Sequence, residues 1–307
     1  MPELPEVQTV VDDLNKKIKG DIIVDFWSDW KKAIKQPSYD QFIRDIKNKK
    51  ILKAWRLGKN LFIDLSGGKT LYIHLKMTGH LLVKDQENIK TKKQKNTHFS
   101  DKVNQYIHHI FYLMQKSKIK AQNDNAKLKI EKKFNKTLEF SDLRKFAKII
   151  LIDTEKIKEL PEIKKLGVDA MSPGFTLKKF QELLTKRKNK KIGLVLMEQE
   201  LIAGIGNIYR SEILFESGID PQRIVSSLRK NEVEKIHSQI KKVLEKAILM
   251  RGTSDSDYRD TSGAPGKFQQ VLSVYNKEGA YCKKCGTIVE RFKMGQRSVF
   301  YCPKCQH

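Results

Sequence analysis

The sequence predicts an α+β protein of several domains: a β-sandwich or barrel at the N-terminus entered through one helix, a helical middle, and a small β-hairpin module at the C-terminus. Three observations carry the prediction. Short β-branched and aromatic runs separated by tight turns occupy residues 21–157. Helical periodicity takes over from about residue 159 and holds to about residue 251. All four cysteines fall within the last 26 of the 307 residues, in two close pairs. A chain of this length with 39% hydrophobic residues can build two or three packed cores. The expected division is 1–157, 158–270 and 271–307.

The first helix is expected from residue 6 to about 19. Val7, Val10, Val11, Leu14 and Ile18 keep helical spacing, and Gly20 stands where a C-terminal cap belongs. Residues 22–27 read as a strand, and 61–65 with 70–75 as a hairpin around Gly67 and Gly68. Residues 106–113 and 137–140 read as another strand pair, and 148–152 as the last strand. Two stretches rich in Lys, Asn and Gln, 85–104 and 115–136, interrupt this pattern. They read as exposed loops or loosely helical insertions of solvated charge. Further on, helices are expected over 175–186, 192–200, 207–217 and 230–251. Asn207 is expected to cap the third of these, and Gly218 with Pro221 beyond to close it. The polar stretch 252–267, rich in Gly, Ser and Asp, reads as a mobile loop.

Charge narrows the partner. Sixty-one Lys and Arg against 36 Asp and Glu give a net charge of +25 and a pI near 9.7. Such an excess calls for a polyanion, most simply nucleic acid. No run approaches the ~20 apolar residues that cross a bilayer. No amphipathic anchor, lipidation signal or leader accompanies the charge, so a cytoplasmic protein without a membrane partner is expected. Nothing suggests an assembly interface, and a monomer is expected.

The cysteines follow Cys282-x2-Cys285-x16-Cys302-x2-Cys305. Two close pairs bracketing a hairpin-sized segment suit one tetrahedral Zn²⁺. Residues 288–292 and 298–301 read as the two strands, with Arg297 at the turn between them. Arg297 is there either an ordinary surface arginine or a clamp for a phosphate.

The chain opens Met1-Pro2-Glu3-Leu4-Pro5-Glu6-Val7. Loss of the initiator Met would leave Pro2 as a free secondary amine. An α-amino group titrates near ~8, against ~10 for lysine, so it is the better nucleophile at neutral pH. Glu3 follows at once. Amine plus acid is the minimum equipment for attacking a masked carbonyl and forming a Schiff base. An arm stiffened by two prolines that caps the next helix is the structural alternative. Gly204-Ile205-Gly206-Asn207 permits a tight turn whose following N–H groups can hold a phosphate, although a turn between packed helices needs no ligand.

Taken together the motifs resemble those of the bacterial formamidopyrimidine-DNA glycosylases, bifunctional base-excision repair enzymes. The match runs nearly end to end, leaving the two Lys-rich stretches poorly covered. It includes the opening Pro-Glu-Leu-Pro-Glu-Val, Arg56-Leu57-Gly58-Lys59-Asn60-Leu61, His74-Leu75-Lys76-Met77-Thr78-Gly79 and Asp142-Leu143-Arg144-Lys145-Phe146. It continues through Gly204 to Glu212, Gly252-Thr253-Ser254, Gln296-Arg297-Ser298 and the four cysteines.

The resemblance implies an N-terminal β-sandwich with a leading helix, a helix–two-turn–helix domain and a zinc finger, acting on damaged double-stranded DNA. It implies that Pro2 attacks C1′ of the damaged nucleotide and that Glu3 protonates the sugar ring oxygen. Lys59 takes the place of a proton donor and phosphate contact in β-elimination, and Arg297 that of the finger arginine of δ-elimination. Met77, Arg144 and Phe146 match a trio that fills the hole left by a flipped base and holds its orphaned partner. His74, Asn207 and Tyr275 match phosphate contacts, Glu6 a buried carboxylate supporting the damaged base, and the loop after Gly252 a flap over it. Tyr106 and Asn189 fall at DNA-contact positions where the family has a histidine and a basic residue. Ala147 and Val168 replace a glycine and a proline of the family pattern. Leu4, where the endonuclease VIII sister group has glycine, and the intact trio favour oxidised purines over oxidised pyrimidines. The presence of both Pro2 and Lys59 argues against a zinc-finger DNA-binding protein that has lost catalysis.

Overall fold

Two sheets face each other across one apolar core in the N-terminal half. The computed structural model describes residues 1–85, 97–115 and 134–307. Helix α1 (Leu4–Lys17) comes first. It begins earlier than the periodicity suggests, because Pro5 suits a first turn and the Glu6 carboxylate accepts the Glu3 N–H at 2.7 Å. The helix ends at Ile18, and Gly20, at φ +92°, turns the chain two residues beyond that cap.

Strands β1 (Ile22–Ser28), β2 (Ile34–Gln36), helix α2 (Tyr39–Ile46), and strands β3 (Ile51–Leu57), β4 (Asn60–Leu65), β5 (Lys69–His74) and β6 (His80–Asp85) follow. Then come β7 (Ile107–Met114), β8 (Lys136–Ser141) and β9 (Lys148–Asp153). One sheet has the order β1-β7-β8-β6 and the other β2-β9-β5-β4-β3. Phe26, Phe111, Leu138 and Phe140 of the first meet Leu61, Ile63, Ile73 and Ile149 of the second, with Val7, Val10 and Leu14 of α1 in the same cluster. Helix α2 was not legible in the pattern: it is eight residues long and buries only Phe42 and Ile46.

The stretch expected at 85–104 as an exposed loop or a loosely helical insertion is loosely helical where it is described, but it is not exposed throughout. Thr97–Ser100 and Lys102–Gln105 form two 3-10 turns, and Asn104 is 1% exposed. The remainder of both Lys-rich stretches, 86–96 and 116–133, lies outside the described residues.

The second half contains α3 (Pro161–Lys164), β10 (Val168–Asp169), α4 (Leu177–Thr185), α5 (Ile192–Val195), β11 (Ile202–Ala203), α6 (Asn207–Ser217) and α7 (Lys230–Leu249). The helix expected over 192–200 stops at Val195. Gln199 leaves the helical path to accept the Gly204 N–H at 3.0 Å and donate to the Ile205 carbonyl at 2.7 Å. Gly218 closes α6 in the left-handed conformation, as expected. Leu4 of α1 inserts into the helical core beside Ile205 and Tyr209. The 252–267 segment is irregular.

Strands β12 (Glu290–Met294) and β13 (Arg297–Tyr301) make the terminal hairpin. It rests on α6 through Phe215, Val289 and Phe300. Among the described residues no helix is long and apolar enough to cross a membrane.

Candidate active site

The N-terminal arm lies against the turn before α6, and two glycines make room for it. The Leu4 N–H donates to the Gly204 carbonyl at 3.1 Å. A Cβ on Gly204, at φ +112°, would sit 2.4 Å from Leu4 Cδ1, and one on Gly206 would sit 2.4 Å from the Glu3 carboxyl carbon. The Glu3 carboxylate accepts the N–H groups of Gly206 at 2.7 Å and Ile208 at 3.1 Å. A negative charge from the arm thus satisfies the open donors at the positive end of α6. This corrects the expected cap: Gly206 stands at the cap position and Asn207 is the first helical residue, because Glu3 supplies the acceptor that the Asn207 side chain was expected to provide.

Glu6 lies beneath, 1% exposed. It accepts from the Tyr209 hydroxyl at 2.5 Å and the Thr253 N–H at 2.7 Å. Burial, reinforced by the neighbouring Glu3 charge, raises its pKa to about 7 against these hydrogen bonds.

A cavity of ≈ 250 Å³ opens above the arm, lined by Glu3, Lys59, Met77, Asn207, Tyr275 and Arg297, with Met1 at its edge. Pro2 is buried and does not itself line the cavity, but stands in the chain between two residues that do, Met1 and Glu3. Lys59 comes from the two-residue turn joining β3 and β4. Asp169 anchors that turn, accepting the Gly58 N–H at 2.7 Å and pairing with Arg56 at 2.5 Å. Lys59 is 8% exposed. Burial lowers its pKa, with Glu3 opposing. Arg297 is exposed at the start of β13, beside the Gly295 turn of the hairpin.

Sequence reasoning missed Arg210. It is 0% exposed and forms no ion pair with a carboxylate among the described residues. Its Nη2 donates to Asn207 Oδ1 at 2.6 Å and to the Ser298 carbonyl at 3.1 Å, and its Nε has no partner. Burial lowers its pKa to about 10, so it stays charged at neutral pH. The signal in the sequence is its place inside the Gly204–Glu212 motif, next to the apolar Ile208 and Tyr209.

Met77 and Phe146 could have been core residues by pattern, but they are 43% and 52% exposed. Arg144 donates to Met77 Sδ at 3.2 Å and lies 4.8 Å from the centre of the Phe146 ring. Both hydrophobic tips follow a lysine in the left-handed conformation, Lys76 at φ 55° and Lys145 at φ 54°. Buried Asp142 holds the two turns together, accepting from the Thr78 hydroxyl at 2.5 Å and the Ala147 N–H at 2.8 Å. His74 stands apart from the cavity lining, its Nδ1 accepting the Lys76 N–H at 3.0 Å; burial lowers its pKa to about 4. Tyr106, at the end of the second 3-10 turn, and exposed Asn189 also lie outside the lining.

The Sγ atoms of Cys282, Cys285, Cys302 and Cys305 all lie within 4.8 Å of one another, with two of the separations 3.8 and 3.5 Å. Zn–S bonds of ~2.3 Å at tetrahedral angles require ~3.8 Å between sulfurs, so the four thiolates fit one zinc ion.

Family models match along the chain: the formamidopyrimidine-DNA glycosylase N-terminal domain over 1–149, the H2TH domain of the same enzymes over 166–258, and a zinc finger found in FPG and IleRS over 282–307. A formamidopyrimidine-DNA glycosylase of Carboxydothermus hydrogenoformans is 37% identical, with 100% of each chain covered. The Lactococcus lactis Fpg in complex with abasic-site DNA superposes with a TM-score of 0.80 at 29% identity, covering 99% of each chain. A mutant of that protein with Fapy-dG containing DNA also gives 0.80, at 30% identity over 100% of each chain. With relatives above 30% identity matched over their full length, and with the arm, the H2TH turn and the four-cysteine finger all in place, the chain belongs to the formamidopyrimidine-DNA glycosylase family.

Proposed function

We propose that the protein is a bifunctional glycosylase and AP lyase that removes oxidised purines, 8-oxoguanine and formamidopyrimidines, from duplex DNA. The observation that supports this above all is the convergence of Glu3, Lys59, Asn207 and Arg297 on one cleft beside Pro2. Met1 is 44% exposed at that cleft, so its removal frees the Pro2 nitrogen toward it. The amine attacks C1′ and gives its proton to the Glu3 carboxylate. The C1′–N bond to the base breaks, and the base leaves with the bonding pair and takes up a proton. Glu3 delivers a proton to the ring oxygen, the C1′–O4′ bond opens, and C1′ becomes the carbon of an iminium. Loss of a C2′ proton then expels the 3′ phosphate, and loss of a C4′ proton expels the 5′ phosphate. Water hydrolyses the imine and returns the free amine.

Lys59 serves proton transfer and phosphate binding during the first elimination, and Arg297 stabilises the phosphate that leaves in the second. Asn207 and Tyr275 hold backbone phosphates. Met77 and Phe146 fill the gap in the stack while Arg144 pairs with the orphaned cytosine. Zinc fixes the hairpin that carries Arg297. The complexes of the Lactococcus protein with abasic and Fapy-dG DNA support the ligand class.

Borohydride trapping tests the reading. On a duplex carrying one 8-oxoguanine opposite cytosine, the protein beginning at Pro2 should form a covalent adduct that Glu3→Gln and Pro2→Gly lose. An adduct with an oxidised pyrimidine but none with 8-oxoguanine would move the substrate to the other lesion class. No adduct with either, nor with an abasic site, would overturn the chemistry.

A further inference from the structure

The functional reading above leaves the first Lys-rich stretch without a role, yet its C-terminal end is built onto the 252–267 loop. Arg259 donates to Asp101 Oδ2 from Nε at 2.9 Å and from Nη2 at 2.8 Å. The buried Asn104 side chain donates to the Gly263 carbonyl at 3.1 Å and to the His98 carbonyl at 2.6 Å. Its Oδ1 lies 2.8 Å from His80 Nε2, on strand β6. Gly263 is at φ +77°, and a Cβ there would sit 2.7 Å from Asn104 Nδ2. The seat therefore accepts the loop only with glycine at this point.

The same loop reaches the cleft. Thr253, Asp255, Ser256 and Tyr258 line the cavity, and Arg259 is the next residue along. Tyr258 is 5% exposed and packs in the core of the sheets. The loop is thus held on one side by the end of the Lys-rich stretch and walls the cleft with the other.

We propose that Asp101 and Asn104 form a clasp, a pair of positioning residues that hold the 252–267 loop in the form that encloses a base turned out into the cleft. The clasp rests on the functional reading above and adds a division of labour to it. An abasic site has no base to enclose, so the clasp serves base excision and leaves cleavage at a preformed abasic site untouched. Without it, the loop keeps its hold on α1, where Thr261 and Ser262 meet Asp13 and Lys17, but the part around Arg259 must be ordered anew with each lesion, and that entropy is charged only to the step that needs the loop.

The test compares two duplexes, one with 8-oxoguanine opposite cytosine and one with a preformed abasic site. Asp101→Arg, at a carboxylate that is one-third exposed, should slow 8-oxoguanine excision about tenfold and change abasic cleavage less than about twofold. Arg259→Asp in the same chain restores the pair in reverse and should restore excision. Equal loss on both duplexes, no loss on either, or no rescue by the swap would overturn the clasp. Hydrogen exchange of the loop amides, read on the free protein, tests it without any DNA. Asp101→Arg and Asn104→Ala should speed exchange in residues 254–263 while the α6 and α7 amides stay protected, and unchanged loop exchange would sink the idea. A wild type inactive on both duplexes would fail the functional reading instead, and the exchange result would still stand or fall alone.

Discussion

The Arg210 guanidinium donates to Asn207 Oδ1 at 2.6 Å and so decides which way that amide faces. With its oxygen engaged, Asn207 keeps its NH₂ donors for the cleft. Arg210 reaches the Ser298 carbonyl as well, next to Arg297, and ties the hairpin to α6. A fully buried cation without a carboxylate partner costs several kcal/mol. Its charge adds to the positive field around the Asn207 side chain, the proposed phosphate contact. Arg210→Met should weaken binding to a duplex with an uncleavable abasic analogue by about tenfold. Combined with Asn207→Ala the loss should be no greater than that of the worse single change, as read by fluorescence anisotropy. Strict additivity would show that Arg210 does not act through Asn207.

Gly206 has no room for a side chain, because Glu3 occupies it. Gly206→Ala should displace the carboxylate from the end of α6. Borohydride trapping should drop at least tenfold, with a stability loss of about 1–3 kcal/mol in urea titration. A variant that traps at the wild-type rate would show that Glu3 does not need this seat.

Glu6 links stability to pH. Its pKa rises from the ordinary 4.5 to about 7 on folding. Between those values the folded protein holds a proton that the unfolded chain has released, so stability falls as pH rises through the window and levels off above it. The full effect is about 3 kcal/mol. Glu6→Gln lacks this slope, so its stability relative to wild type should climb from pH 4.5 to pH 7. Urea denaturation across the window checks it, and a constant difference between the two proteins would refute the assignment.

Phe146 is half exposed and bears no core load. Phe146→Ala should leave the melting temperature within about 2 °C and slow excision from duplex DNA about tenfold or more. Asp142→Ala removes a buried acceptor from Thr78 and Ala147, and should lower both stability and excision. Similar melting losses for the two variants would contradict this division.

Zinc removal should act at the hairpin first. A chelator should abolish trapping on duplex DNA while far-UV circular dichroism keeps the sheet and helix signal of residues 1–270. The cores of the two sheets and of the helical domain are built without residues of the finger, 282–307, which meet the rest through the small Phe215–Val289–Phe300 cluster and a few polar contacts such as Arg210 to Ser298 and Gln306 to Ile219. Trapping that survives complete loss of zinc would show that Arg297 needs no metal-held hairpin.

What was legible in the sequence was local. The Val7-Val10-Val11-Leu14 period, the Gly67-Gly68 hairpin and the cysteine spacing each report a few neighbouring residues, and each appears in the fold. Of the cleft residues, Glu3, Asn207 and Arg297 were suggested by local chemistry, and Lys59 and Tyr275 were named because their motifs resemble a family; no period could have brought the five together. The misses are long-range. Asp169 on Gly58, Arg210 on Ser298 and Asp101 on Arg259 join parts of the chain 88 to 158 residues apart, and no local pattern encodes such contacts. The helix over 192–200 failed for a related reason, since Gln199 has a better use in the turn than in a helix. His109 was invisible too: both its nitrogens lack partners, and burial among Phe26, Trp30 and Phe140 pushes its pKa down to about 4, so it packs as one more neutral ring.

The seat of Glu3 also sets an order in time. Its two backbone donors, Gly206 and Ile208, are made 203 and 205 residues after it. A ribosome releases the proposed acid and its neighbouring amine first and the helix end that steadies them much later. A half-made chain therefore carries the proposed acid without its seat, and a chain that stops before residue 206 lacks both of the donors that hold the Glu3 carboxylate.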